Sequence, residues 1–151
     1  MIKYLLLAFA LTCTQAFGAT VDDKFLDALA LTEHDGKGPA PAGDGGKSIG
    51  PYQIGLDYWK DAISYSPSIG GTYQDCLDKD YARLIVKAYM GMWASKQDLG
   101  REPTYRDFAR IHNGGPKGYK KGGGYKATSK KGIAKEKNLV AFYKRFRGKL
   151  K

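Results

Sequence analysis

Two carboxylates stand out for what their surroundings would do to them. Glu33 follows Leu26, Leu29 and Ala30 by seven, four and three residues, so on a helix its carboxylate shares the apolar face. Such a face disfavours the charged form and suits a proton donor. Asp44 sits in the run Gly43-Asp44-Gly45-Gly46, a polar turn in which a carboxylate stays ionised. A pair divided in this way is what cleavage of a glycosidic bond requires. One group protonates the leaving oxygen, and the other stabilises or attacks the sugar cation. By itself the pattern is common, since many helix-to-turn passages hold one Glu and one Asp.

Other chemistries find less support. His34 and His112 lie far apart, and there is no Cys cluster or His-Glu zinc spacing, so neither a metal nor another cofactor is expected. Lys47-Ser48 lies in Gly-rich sequence but lacks the order of a phosphate-binding loop. Ser48, His112 and one of many Asp residues can be drawn as a triad, yet no nucleophile-elbow sequence surrounds the serine.

The elements that must position these groups are mostly helices. Asp22 or Asp23 caps a first helix with Phe25, Leu26, Leu29 and Ala30 inward and Glu33 near its end, before the breaker run GKGPAPAGDGG. Asp44-Gly45-Gly46 predicts a hairpin tip, and residues 49–54 a short strand or the start of a second short helix. A helix over 80–93 carries the stripe Tyr81, Leu84, Ile85, Ala88, Tyr89, Met92 and Trp93. Another starts at Pro103 or Thr104, where Thr104 and Asp107 form a capping box. Its inner face is Tyr105, Phe108, Ala109 and His112, and Asn113-Gly114-Gly115-Pro116 stops it. Residues 117–132 read as a Lys- and Gly-rich loop, and a last helix over 134–147 should bury Leu139, Val140, Tyr143 and Phe146. The expected class is α+β, mostly helical, with one small β-hairpin.

Composition bounds the rest. With 151 residues, 42% apolar and 26% charged, the chain is an ordinary globular domain rather than a disordered segment. No apolar run is long enough for a transmembrane segment. Residues 1–19 read as an export signal: Lys3 gives the positive start, Tyr4 to Leu11 the apolar run, and Ala16 with Gly18 a cleavage site near Gly18 or Ala19. Cys13 falls inside that signal, leaving Cys76 without an internal disulfide partner. Charge is divided unevenly. Residues 20–100 hold 8 basic and 12 acidic side chains, whereas 101–151 hold 16 and 3, a net of +13. An anionic partner met through the C-terminal third is expected, and export favours a wall polymer or lipid surface over nucleic acid.

Three blocks of sequence carry a resemblance. Gly50-Pro51-Tyr52-Gln53-Ile54 followed by Asp57-Tyr58-Trp59 and Asp61, then Ala88-Tyr89-Met90, then the run Phe108 to Pro116 (FARIHNGGP) occur in that order. Together they resemble the invertebrate-type lysozymes, the destabilase family, over most of the chain from Glu33 to Pro116. The resemblance implies a lysozyme-like core over 20–116, and outside its pattern the chain adds the basic loop over 117–132 and a basic C-terminal helix over 133–151. It implies a secreted enzyme that hydrolyses the β-1,4 link between N-acetylmuramic acid and N-acetylglucosamine in bacterial peptidoglycan. Glu33 stands where the family has its general acid, and Asp44 where it has its second carboxylate. Substrate contacts map onto Gly55, Leu56, Asp57, Tyr58, Trp59, Lys60 and Asp61, onto Trp93, and onto His112, Asn113 and Gly114. A second, isopeptidase activity of some members maps onto Ser48. The chain departs from the family in its scarcity of cysteine and in its long basic tail. A non-catalytic glycan binder and a cationic antibacterial protein on the same fold are the rival expectations.

Overall fold

A computed structural model describes residues 21–34, 40, 42–43, 45–118 and 130–150. The expected export signal, Asp44 and residues 119–129 of the expected basic loop lie outside the described residues. Helix α1 spans Asp23–Glu33, and its cap is Asp22, whose carboxylate accepts from the Phe25 N–H at 2.8 Å. Strands β1 (Ser48–Ile49) and β2 (Ile54–Gly55) pair antiparallel, Ser48 with Gly55 and Ile49 with Ile54. An additional bridge joins Gly43 to Ser48 and closes the Gly-rich turn, while the Gln53 N–H donates to the Gly50 carbonyl across the hairpin turn.

Helix α2 follows over Leu56–Tyr65, then two 3-10 turns at Pro67–Ile69 and Tyr73–Leu77. Helices α3 (Lys79–Trp93), α4 (Lys96–Leu99), α5 (Tyr105–Gly114) and α6 (Lys130–Lys149) complete the described chain. The architecture is the expected helical domain with one hairpin. Among the described residues, no helix is long and apolar enough to cross a membrane.

The core is continuous from Val21 to Phe146 and gathers where α1, α5 and α6 meet. Phe25 of α1 lies 5.4 Å from Phe108 of α5 in an edge-on contact and 5.0 Å from Phe146 of α6. Ion pairs close the other side of α1: Arg83 of α3 reaches Asp23 at 2.8 Å and Asp27 at 3.0 Å. That guanidinium holds the exposed Asp23 carboxyl below its ordinary range. Helix α2 packs chiefly on α3. There the Trp59 indole N–H donates to the Tyr81 hydroxyl at 3.0 Å, and that hydroxyl donates to the Gly70 carbonyl at 2.7 Å.

Several sequence expectations need correction. Residues 54–55 are strand and the second helix, α2, starts only at Leu56, where Gly55 gives no side-chain cap and charged residues mix with aromatic ones. In α3 the buried arc is Ala82, Ile85, Val86, Ala88, Tyr89 and Met90, while Leu84 is 49% exposed. Periodicity gave the repeat but not the angle at which α2 docks. Helix α6 begins at Lys130, inside the segment expected to be loop, and buries Phe142 and Phe146. Val140 is 38% exposed and Tyr143 only half-buried. The Leu139 side chain lies outside the described residues.

Candidate active site

Glu33 is the last residue of α1, a position that ends the helix at the edge of a cleft. The opposite wall comes from the hairpin, and the floor from α2, α3 and the end of α5. The cleft has a volume of about 310 Å³ and is lined by Glu33, Gly43, Ser48, Gln53, Gly55, Tyr58, Tyr89, His112, Asn113 and Gly115. That size falls at the lower end of small-ligand sites.

Close backbone approaches build the hairpin wall. Gly50, at φ +73°, lies so near the Cys76 carbonyl that a Cβ would run into it. Gly43 faces the Gln53 side chain in the same way. Gln53 itself adopts a left-handed φ of +49°, and its side-chain amide donates to the Gly50 carbonyl at 2.9 Å. The Tyr73 hydroxyl donates to the Ile54 carbonyl at 2.8 Å and ties the hairpin to the second 3-10 turn.

His112 organises the floor. Its side chain is 2% exposed, and both ring nitrogens are engaged. Nε2 lies 3.0 Å from the Tyr52 carbonyl oxygen and 3.2 Å from Glu33 Oε1, while Nδ1 lies 3.1 Å from the Tyr58 hydroxyl. Tyr58 stacks on Tyr89 at 3.5 Å between ring centroids, with 14° between the planes. Burial pushes the Tyr58 phenol well above its ordinary range, with the Tyr89 and Glu33 oxygens adding to the effect. Its hydroxyl therefore keeps its proton. Phe142 of α6 lies against the imidazole at 6.4 Å and 24°. Glu33 thus has a polar neighbour that the apolar stripe of α1 did not forecast.

The residues named from sequence divide between the cleft and its supports. Glu33, Ser48, Gly55, Tyr58, His112 and Asn113 line the cleft. The Asp44 carboxylate lies outside the described residues, although its neighbour Gly43 is in the wall. Leu56, Asp57, Trp59, Lys60, Asp61, Trp93 and Gly114 are not in that lining. Leu56 and Asp57 are exposed, with Lys60 3.9 Å from Asp57. The Trp93 indole N–H donates to Asp61 at 3.1 Å, an α3-to-α2 brace. Gly114 is buried within α5.

Tyr89 and Gln53 line the cleft without having been given a role there, although both belong to the blocks quoted above. Cys76 is fully buried, and burial pushes its thiol up to about 12, so it is no nucleophile. Among the described residues, no three His, Cys, Asp or Glu side chains converge to hold a metal ion.

Comparison with known proteins bears on the family and the fold. Residues 22–134 match the family described as Destabilase. A lysozyme from Ostrea edulis is 38% identical over 73 residues, 47% of this chain and 48% of that protein. The chain thus spans about half the length of the curated relative it matches. An inhibitor-bound lysozyme from Meretrix lusoria superposes with a TM-score of 0.56 at 27% identity, covering 82% of this chain and 92% of the other. Tapes japonica lysozyme superposes at 0.53 and 24% identity over 78% and 87%, a likeness of fold alone.

Proposed function

The chain belongs to the destabilase family, and on that premise we propose that it is a muramidase acting on bacterial peptidoglycan. The observation that carries this reading is the placement of Glu33. A helix-terminal carboxylate, steadied by a buried imidazole, opens onto a cleft whose other wall is a Gly-rich hairpin. Glu33 gives its proton to the glycosidic oxygen as the bond from that oxygen to the sugar C1 breaks. Asp44, on the sequence run that enters the hairpin, is the second carboxylate. It attacks C1 or stabilises the cation, and water then completes hydrolysis. Ser48, Gln53 and Asn113 present hydroxyl and amide groups along the same cleft, the chemistry that acetamido and hydroxyl substituents need.

The finer reading adds export and wall attraction. The N-terminal signal directs the protein out of the cell, and the basic C-terminal third draws it to the anionic wall. Supporting this, Lys137, Lys144, Arg145, Arg147 and Lys149 of α6 are exposed. Two of the three acidic residues after Gly100 are already engaged, Glu102 by Lys96 at 2.7 Å and Asp107 by Arg101 at 2.7 Å.

The test is clearance of a purified peptidoglycan suspension by wild type and Glu33→Gln. The amide keeps the side chain's shape and removes the transferable proton. Clearing with release of reducing ends by wild type alone supports the reading. Unchanged clearing by a folded Glu33→Gln protein, or salt-sensitive pelleting without clearing by either, overturns it in favour of a binder.

A further inference from the structure

We propose that His112 is a positioning residue for Glu33, with its proton fixed on Nε2 by the Tyr52 carbonyl, its Nδ1 held by the Tyr58 hydroxyl and its ring shielded by Phe142 of α6. The proposal rests on the muramidase reading of the cleft and assigns His112 a role other than contact with sugar.

The geometry leaves little choice of tautomer. Nε2 faces two oxygens, the Tyr52 carbonyl at 3.0 Å and Glu33 Oε1 at 3.2 Å. A carbonyl only accepts, so Nε2 must carry hydrogen to satisfy it. In the neutral ring Nδ1 is then the acceptor, and the Tyr58 O–H is the donor at 3.1 Å. Tyr58 can fill that part because its buried phenol holds its proton far into the alkaline range. The stack on Tyr89 restricts where the Tyr58 hydroxyl can point.

Consequences follow for the acid. With Oε1 occupied by the Nε2–H, the proton that Glu33 transfers resides on Oε2. The carboxyl plane is set by a residue that is itself held at three points. A side chain 2% exposed has little ring surface to offer a sugar. The groups facing the imidazole are Glu33 from α1, the Tyr52 carbonyl from the turn, Tyr58 from α2 with Tyr89 of α3 behind it, and Phe142 from α6. Arg145 of α6 lies 5.7 Å from the Phe142 ring centre, so one cation stands next to that contact. Phe142 belongs to the part of α6 beyond residue 134, where the family match ends. The family match thus takes in the first turn of α6 but not the residue that lies on the imidazole.

Two experiments test this. The first reads the tautomer without turnover, by imidazole nitrogen NMR at about pH 8.5, two units above the usual histidine value. The expected result is a protonated Nε2 and a bare, hydrogen-bonded Nδ1 in wild type. Glu33→Gln should shift the Nε2–H signal, and Tyr58→Phe should shift the Nδ1 signal, which loses its hydrogen bond, while Nε2 keeps its proton. A proton on Nδ1 in wild type, or an Nε2–H signal indifferent to Glu33→Gln, overturns the proposal whether or not the protein clears peptidoglycan.

The second experiment compares kinetics of folded Tyr58→Phe and His112→Gln with wild type on a soluble peptidoglycan oligomer. Loss of orientation should lower kcat by about ten- to a hundredfold with KM unchanged. His112→Gln, which still offers an N–H, should retain more kcat than His112→Leu. A raised KM at constant kcat would instead make His112 a sugar contact and sink the proposal. Inactive wild type with the expected NMR result would remove the muramidase reading and leave the hydrogen-bonded arrangement standing.

Discussion

Arg101 holds both carboxylate oxygens of Asp107, with Nη1 2.7 Å from Oδ2 and Nη2 2.9 Å from Oδ1. The same Oδ2 accepts from the Thr104 N–H at 2.9 Å and the Thr104 hydroxyl at 2.8 Å. Asp107 is the capping-box residue of α5, the helix that ends in His112 and Asn113. That helix is thus anchored at its start, the end opposite the residues that line the cleft.

Burial works against the Asp107 charge, but Arg101 and the Thr104 donors outweigh it and hold the carboxyl below its ordinary value. A depressed folded value means the contribution is present above the unfolded value, about 3.9, and is lost as pH falls through the folded one. Asp107→Asn should cost about 1 kcal/mol near neutrality. The gap from wild type should narrow below about pH 4. Urea midpoints at several pH values measure this, and a constant gap down to strong acid would contradict it.

Gly50 and Gly45 both adopt positive φ, +73° and +68°, but only Gly50 is crowded. Gly45→Ala meets open space and should cost about 1 kcal/mol for the left-handed backbone. Gly50→Ala must also push the Cys76 backbone away, so its melting temperature should fall clearly further. Equal losses in thermal melts would show that the Gly50–Cys76 approach is unimportant.

Cys76 offers a simple probe of the same region. With its thiol pushed up to about 12, almost no thiolate exists at pH 8, and the sulfur is fully buried. The native protein should resist an aromatic disulfide reagent and react at once when unfolded in urea. Fast labelling of the native state would mean that the hairpin and the second 3-10 turn separate readily.

The aromatic contact between α1 and α6 should be costly to lose. Phe146 is fully buried against Phe25, so Phe146→Ala should destabilise by about 3–5 kcal/mol, read from denaturant titration. A loss below about 1 kcal/mol would imply that α6 docks weakly.

Charge on α6 should act on the wall and not on the chemistry. Lys144→Glu combined with Arg147→Glu replaces exposed cations on a helix whose buried side is Phe142 and Phe146. Adsorption to anionic wall should weaken and become less sensitive to salt, while kcat on a soluble oligomer stays as in wild type. Unchanged pelleting across salt concentrations would remove α6 from wall binding.

Much of this was legible where the signal is local. Asp22 before an apolar stripe, and Thr104 three residues before Asp107, marked helix starts that the structure contains. The place of Glu33 at the end of α1 followed from the breaker run after it. What stayed hidden depends on contacts between distant segments. Nothing near His112 in sequence announces that Tyr52, Tyr58 and Glu33 surround its ring. Nor does the α3 stripe reveal that Leu84 faces out, since the helix phase is set by α2. The resemblance placed Trp59 and Trp93 among the substrate contacts, and sequence carried no sign that their indole N–H groups join α2 to α3.

The contact between Phe25 and Phe146 spans 121 residues of chain. Contacts of such range form late, because a long loop must close before they contribute. While the chain is being made, α1 emerges long before the helix that covers it, and its apolar side has no native partner in the interval. The order of synthesis thus delays completion of the core until α6 has appeared.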